Sequence, residues 1–77
     1  PIIGIDNVDS SIEMESYQMP EKCVLLFGQE GAGMSEEGIA ACTVLLAIRQ
    51  YGSTRSMNAS AAGAIAMYHW ALQNLPR

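Results

Sequence analysis

The stretch 23-CVLLFGQEGAGMSEEG-38 runs from five apolar residues into a turn crowded with glycine and then into a helix start. The run Cys23 to Phe27 has no polar alternation, which suits a strand covered on both faces, as in a parallel sheet. Ser35 is a good N-cap, and Glu36 and Glu37 suit the first turn beside the positive end of a helix. That helix is expected to run to about Cys42. A strand, a glycine turn and a helix in this order commonly hold an anionic or nucleotide-like ligand.

The known phosphate cradles do not fit the turn. Gly28 and Gly33 have P-loop spacing, but Met34-Ser35 stands where Lys and then Ser or Thr are required. Without that lysine no cation meets the β/γ-phosphates, so an NTPase is disfavoured. A dinucleotide fingerprint counted from Gly31-Ala32-Gly33 places Glu36 where its third glycine belongs. Glu30 would also sit beside a pyrophosphate with no basic residue near. Taken alone, the glycines are most simply a tight strand-to-helix turn at positive φ.

Outward from this unit, Ile2-Ile3-Gly4-Ile5 reads as a short buried strand, and Asp6 to Pro20 as a polar, irregular connection. Thr43 to Ile48 is rich enough in branched residues to be a third strand. Arg49 to Met57 is a second polar loop. From about Asn58 to Leu75 the pattern is helical, ended by Pro76, and its Ala- and Gly-rich first half is apolar nearly all round, so that half should be buried. Met67, Trp70 and Leu75 continue it as an amphipathic stripe. The alternation predicts an α/β fold with a mostly parallel sheet. The loops Gly28–Ser35 and Gln50–Asn58 both follow strands, at the sheet edge where ligands bind in open α/β folds.

Bulk properties narrow the classes. The chain has 77 residues, which allow only one core, and Pro1 followed by Ile2-Ile3 suggests a start partway through a domain. No apolar run has the length of a membrane span, and there is no signal-peptide pattern. Cys23 and Cys42 lie in no metal-ligand cluster, so no metal is expected, and they read as free thiols in a reducing cytosol. Four basic residues face eight acidic ones, for a net charge of −4. Nucleic-acid binding usually needs a basic surface, so attraction for RNA must come from elsewhere or from a partner subunit.

Taken together, 26-LFGQEGAGMSEE-37 and 48-IRQYGSTRSMNASAAGAIAMY-68 resemble the two C-terminal signatures of the SpoU/TrmH-type RNA methyltransferases of the SPOUT class. Gly28, Glu30, Gly31, Gly33, Ile48, Gly52, Ser53, Ser56, Asn58 and Ser60 fall in register with that pattern. Arg49 stands where the pattern has proline, and Met57 where it has leucine. The two motifs, in this order and at this distance, are specific, and the likeness spans about residues 2 to 72.

The resemblance implies an α/β domain closed by a deep C-terminal trefoil knot, with residues 1–77 forming the C-terminal part of the domain. True knots are rare enough that this would be an exception among folds. It implies S-adenosyl-L-methionine as cofactor, its adenine held mostly by backbone groups at Gly28, Ile48 and Met57, with Phe27, Gln50 and Ala62 among the cofactor-binding positions. Glycines that let backbone approach a nearly neutral adenosine need no phosphate-binding lysine. The implied reaction is methyl transfer to a ribose 2′-hydroxyl of a structured RNA, tRNA or rRNA, in a cytoplasmic homodimer. A 2′-hydroxyl is a poor nucleophile and must be held in line and relieved of its proton. In the family an arginine of an N-terminal motif takes part; these residues do not include that motif, and Arg55 is no positional substitute. Ser56 and Asn58 would help fix that arginine and the ribose, and Glu30 would order the loops, so these three are the catalytic candidates.

Plainer readings stay beside these. Ser56 and Asn58 could be helix caps, and Glu30 a solvated loop acid. His69 lacks a catalytic partner at suitable spacing and reads as a helix-surface residue. Trp70 and Met67 read as core or dimer-interface residues. The alternative function is a non-catalytic SPOUT-like remnant that serves as a dimerisation or RNA-associated module.

Overall fold

The computed structural model describes residues 1–28, 33–49 and 59–76, the side chains of 59 and 60 excepted. Its strands are β1 (Ile2–Ile5), β2 (Ile12–Glu13), β3 (Val24–Phe27) and β4 (Val44–Ala47), and its α-helices are α1 (Glu36–Ala41) and α2 (Ala59–Asn74). A single 3-10 turn covers Met14–Ser16. The four strands form one sheet in the order β2-β4-β1-β3, and every pairing is parallel. The parallel α/β architecture expected from the alternation is present.

Register explains how the sheet divides its side chains. Ile3 pairs with Leu25 and Val44, and Ile5 pairs with Phe27 and Leu46. Paired residues in parallel strands share a face, so these six meet on one side. Ala62 and Ala66 of α2 and Met14 and Met19 of the segment after β1 join Ile3, Ile5 and Leu46 in a single buried cluster. Gly4 points the other way: a Cβ there would lie 2.6 Å from both Cys42 Sγ and Leu45 Cδ2. Any side chain at position 4 would therefore force the Cys42 and Leu45 side chains to shift.

The strand-turn-helix unit forms as its residues dictate. Ser35 has extended backbone and its Oγ accepts a hydrogen bond from the Gly38 N–H at 3.0 Å, so it is the N-cap of α1. One of the otherwise unpaired N-terminal donors is satisfied in this way. Glu36 and Glu37 occupy the first turn. Gly33 is at φ 75°, a conformation that strains any residue with a Cβ.

Four expectations need correction. β3 is not covered on both sides; among the described residues it pairs only with β1, and Val24 is 60% exposed. Past Val24, its apolar run reflects side chains half-buried on both faces, Leu25 and Phe27 on one and Leu26 on the other. Asp6 to Pro20 is not merely irregular, since it supplies β2 to the sheet and buries Met14 and Met19 in the core. The first half of α2 is buried along one face only: Ala62 and Ala66 are inside, while Ala64 and Ile65 are exposed. Its small residues set how closely the helix approaches the sheet, not how much of it is covered. Finally, His69 is half-buried, with Nε2 3.2 Å from the Tyr17 carbonyl oxygen and from Gln73 Nε2.

Candidate functional site

Parallel strands send all their carboxyl ends to one edge, and the two loops singled out in the sequence leave from that edge. Gly28 follows β3 and Ile48 follows β4, with β1 between those strands. Backbone contact closes the turn at Gly28: a Cβ at that position would lie 2.5 Å from Met34 N and 2.6 Å from the Gly33 carbonyl carbon. Only glycine permits this approach without moving the turn. Phe27, Ile48 and Ala62 all belong to the hydrophobic cluster that joins the sheet to α2. A Cβ on Gly63 would stand 3.7 Å from Phe27 Cζ, which places the start of α2 over the end of β3.

Of the nominated residues, the structure thus brings Phe27, Gly28, Ile48 and Ala62 to one end of the sheet. Glu30, Gln50, Ser56, Met57 and Asn58 lie outside the described residues. Arg49, which replaces the pattern's proline, makes ion pairs with Glu13 Oε1 and, at 3.6 Å, with Glu15 Oε2. All three side chains are about half exposed, so solvent screens the pairs and the chain exit after Ile48 is only lightly held by them.

One polar residue at this edge was not singled out from sequence. Asp6 is the first residue past β1, and its Oδ2 accepts a hydrogen bond from the Met34 N–H at 3.0 Å. Its own N–H donates to the Leu46 carbonyl at 3.0 Å. An acidic residue directly after a buried strand was the available signal, but its partner lies 28 positions away and no local pattern shows it. On the α1 side, the Cys42 thiol donates to the Gly38 carbonyl at 3.2 Å and touches Met34 Sδ at 3.8 Å. Both cysteines are free. Among the described residues there is no cluster of His, Cys, Asp and Glu able to hold a metal ion, and no helix is long and apolar enough to cross a membrane.

The arrangement suits an uncharged, flat ligand better than a phosphate. Among the described residues, Phe27, Ile48 and Ala62 are apolar, the backbone is bare at Gly28, and the acid Asp6 bonds the turn at Met34. The glycine backbone and apolar contacts fit an adenosine, and the acid is compatible with a cationic sulfonium compound.

Comparison with known proteins agrees with this geometry. The chain is 29% identical over 75 residues to the tRNA (guanosine(18)-2'-O)-methyltransferase of Saccharomyces cerevisiae, covering 96% of this chain and 5% of that protein. It is 40% identical over 58 residues to the enzyme of the same name from Borreliella burgdorferi, covering 75% of this chain and 27% of that one. Among solved structures, the SpoU methyltransferase AviRb from Streptomyces viridochromogenes, crystallised in complex with the cofactor AdoMet, superposes with a TM-score of 0.82 at 26% identity. That match covers 94% of this chain and 28% of the other. The chain therefore spans a small part of the length of the relatives it matches. Residues 1–68 match the model of the SpoU rRNA Methylase family, and the chain belongs to that family.

Proposed function

We propose that this chain is the cofactor-binding, C-terminal part of an S-adenosylmethionine-dependent RNA ribose 2′-O-methyltransferase. The observation that carries the reading is the pair of loop starts, Gly28 and Ile48, at the carboxyl ends of two parallel strands that flank β1, with bare backbone at one and apolar packing at the other. The activities of the relatives support tRNA as the first RNA to test, and the family's name supports rRNA as the second. The AdoMet complex of AviRb supports the cofactor.

In this reading Gly28, Ile48 and Met57 hold the adenine through backbone groups, and Phe27, Gln50 and Ala62 complete its surroundings. The chemistry supplied by S-adenosylmethionine when bound is an electrophilic methyl group on sulfur. Ser56 and Asn58 position the ribose and an arginine that assists removal of the hydroxyl proton, and Glu30 orders the two loops. Holding the hydroxyl in line lowers the entropic part of the barrier, and proton removal raises its nucleophilicity. The loops close as a trefoil knot in this reading.

A homodimer is part of the proposal. Ile65, Tyr68 and Leu72 of α2, with Leu75 just past its end, recur at helical spacing on one exposed flank. A second copy covering that flank would remove it from water. Two free thiols suit a reducing cytoplasm.

The test is calorimetric titration of S-adenosylmethionine, followed by transfer of labelled methyl to tRNA and rRNA. Micromolar binding is expected, and Gly28→Val should abolish it, because its side chain must enter space held by Met34 and Gly33 backbone. Asn58→Ala should abolish transfer while the protein stays folded. Cofactor binding without transfer to any RNA would move the assignment to a non-catalytic RNA-associated or dimerisation module. A folded protein that does not bind the cofactor would overturn the reading.

A further inference from the structure

We propose that Asp6 is a positioning residue for S-adenosylmethionine, holding the Gly33–Met34 end of the first cofactor loop against the end of β1. The proposal rests on the cofactor reading above and assigns a role to a residue which that reading leaves unused. β1 lies between β3 and β4, so its carboxyl end falls between the strands that lead to Gly28 and to Ile48. Asp6 stands at that end and is bonded to both sides. Toward β4, its backbone N–H donates to the Leu46 carbonyl at 3.0 Å, two residues before Ile48. Toward β3, its Oδ2 accepts from the Met34 N–H at 3.0 Å. Its Oδ1 accepts from the Asn7 N–H at 2.9 Å, which fixes the carboxylate's own orientation.

Met34 is the part of the first loop whose position matters to Gly28. The two ends of the turn touch through backbone, with Met34 N and the Gly33 carbonyl carbon packed over Gly28. Gly33 sits at φ 75°, and a Cβ on it would stand 3.3 Å from Asp6 Oδ2. The carboxylate thus lies against a residue without a side chain and grips the peptide that Gly28 rests on. A carboxylate binds a backbone N–H about twice as strongly as a neutral acceptor does. If Asp6 let go, the Met34 N–H would lose this partner and the backbone packed over Gly28 would be free to shift away from β1.

A plain structural role would change stability without selecting the cofactor, so the test reads both. In Asp6→Ala the Met34 amide should exchange with solvent faster, and S-adenosylmethionine should bind about tenfold more weakly. Its KM should rise in the same proportion, with kcat at saturating cofactor within about threefold of wild type. Asp6→Asn keeps the shape and one acceptor oxygen and should recover most of the affinity. Asp6→Glu keeps the charge but moves it by one methylene, and should bind several-fold more weakly while folded. Wild-type affinity in a folded Asp6→Ala variant overturns the proposal, as does a fall in kcat with KM unchanged. If Asp6→Ala does not fold, wild-type affinity in Asp6→Glu overturns it. Wild-type protein that binds no S-adenosylmethionine overturns the cofactor reading and this proposal with it, whereas binding that ignores Asp6 removes this proposal alone.

Discussion

The segment between β1 and β3 and the helix α2 exchange the places that composition would give them. Residues 6–20 are mostly polar, yet they bury Met14 and Met19 to 3% and 1% exposure. α2 is mostly apolar, yet Met67 and Tyr68 are 59% and 67% exposed. The difference lies in what each region covers. The polar segment crosses the same sheet face as α2 and needs only two long, adaptable side chains to fill the space left beside the small Ala62 and Ala66. The helix can bury only one stripe, and its remaining apolar residues stay outside.

Polar residues of α2 make the exchange possible. Gln73 Oε1 accepts from the Met19 N–H at 2.6 Å, and Gln73 Nε2 donates to the Tyr17 carbonyl at 3.1 Å. Trp70 Nε1 donates to the Pro20 and Glu21 carbonyls at 3.0 and 3.1 Å, and Asn74 Nδ2 donates to the Met19 carbonyl at 3.4 Å. A segment with little regular structure must find partners for its backbone elsewhere, and here side chains from the helix provide them.

Comparing two methionines gives the sharpest test. Met19→Ala empties a core position and should cost about 2–5 kcal/mol, enough to leave a domain of this size barely folded. A change under 1 kcal/mol in thermal or urea unfolding would show that the segment does not close the core. Gln73→Ala, which removes the partner of Met19 N–H and one of two at Tyr17 C=O, should cost about 1–3 kcal/mol and release residues 17–19 to faster amide exchange. Unchanged exchange there would mean that side-chain packing alone holds the segment. Met67→Gln stands off the Ile65–Tyr68–Leu72 stripe and should alter stability by no more than about 0.5 kcal/mol. A larger loss would place Met67 in an interface and the apolar helix inside after all.

The strand-turn-helix unit was legible because its signals are local. Cys23 to Phe27, the glycines, Ser35 and the two glutamates each act on residues within four positions, and α1 begins and ends where they place it. Ile2–Ile5 and Val44–Ala47 were legible as short branched runs. For the candidate site, the paired motifs nominated Phe27, Gly28, Ile48 and Ala62, which lie at one end of the sheet, and Glu30, Gln50, Ser56, Met57 and Asn58, which lie outside the described residues. The edge position of β3 was not legible, because an unbroken apolar run shows that both faces are apolar and says nothing about neighbours. The partner of Asp6 escaped for a similar reason: a carboxylate after a strand has no period from which its acceptor geometry can be inferred.

From the sequence alone came the alternating elements, the capped glycine turn and the two signatures that mark the SpoU rRNA Methylase family, since each depends on residue types at short, countable spacings. Only the tertiary structure decided that Met14 and Met19 enter the core, that one flank of α2 stays open, and that Asp6 bonds both Met34 beyond the glycine turn and Leu46 of β4. Those outcomes rest on contacts between residues 28 to 56 positions apart, and such contacts form only once the parallel sheet has brought the chain's distant parts to the same edge and face.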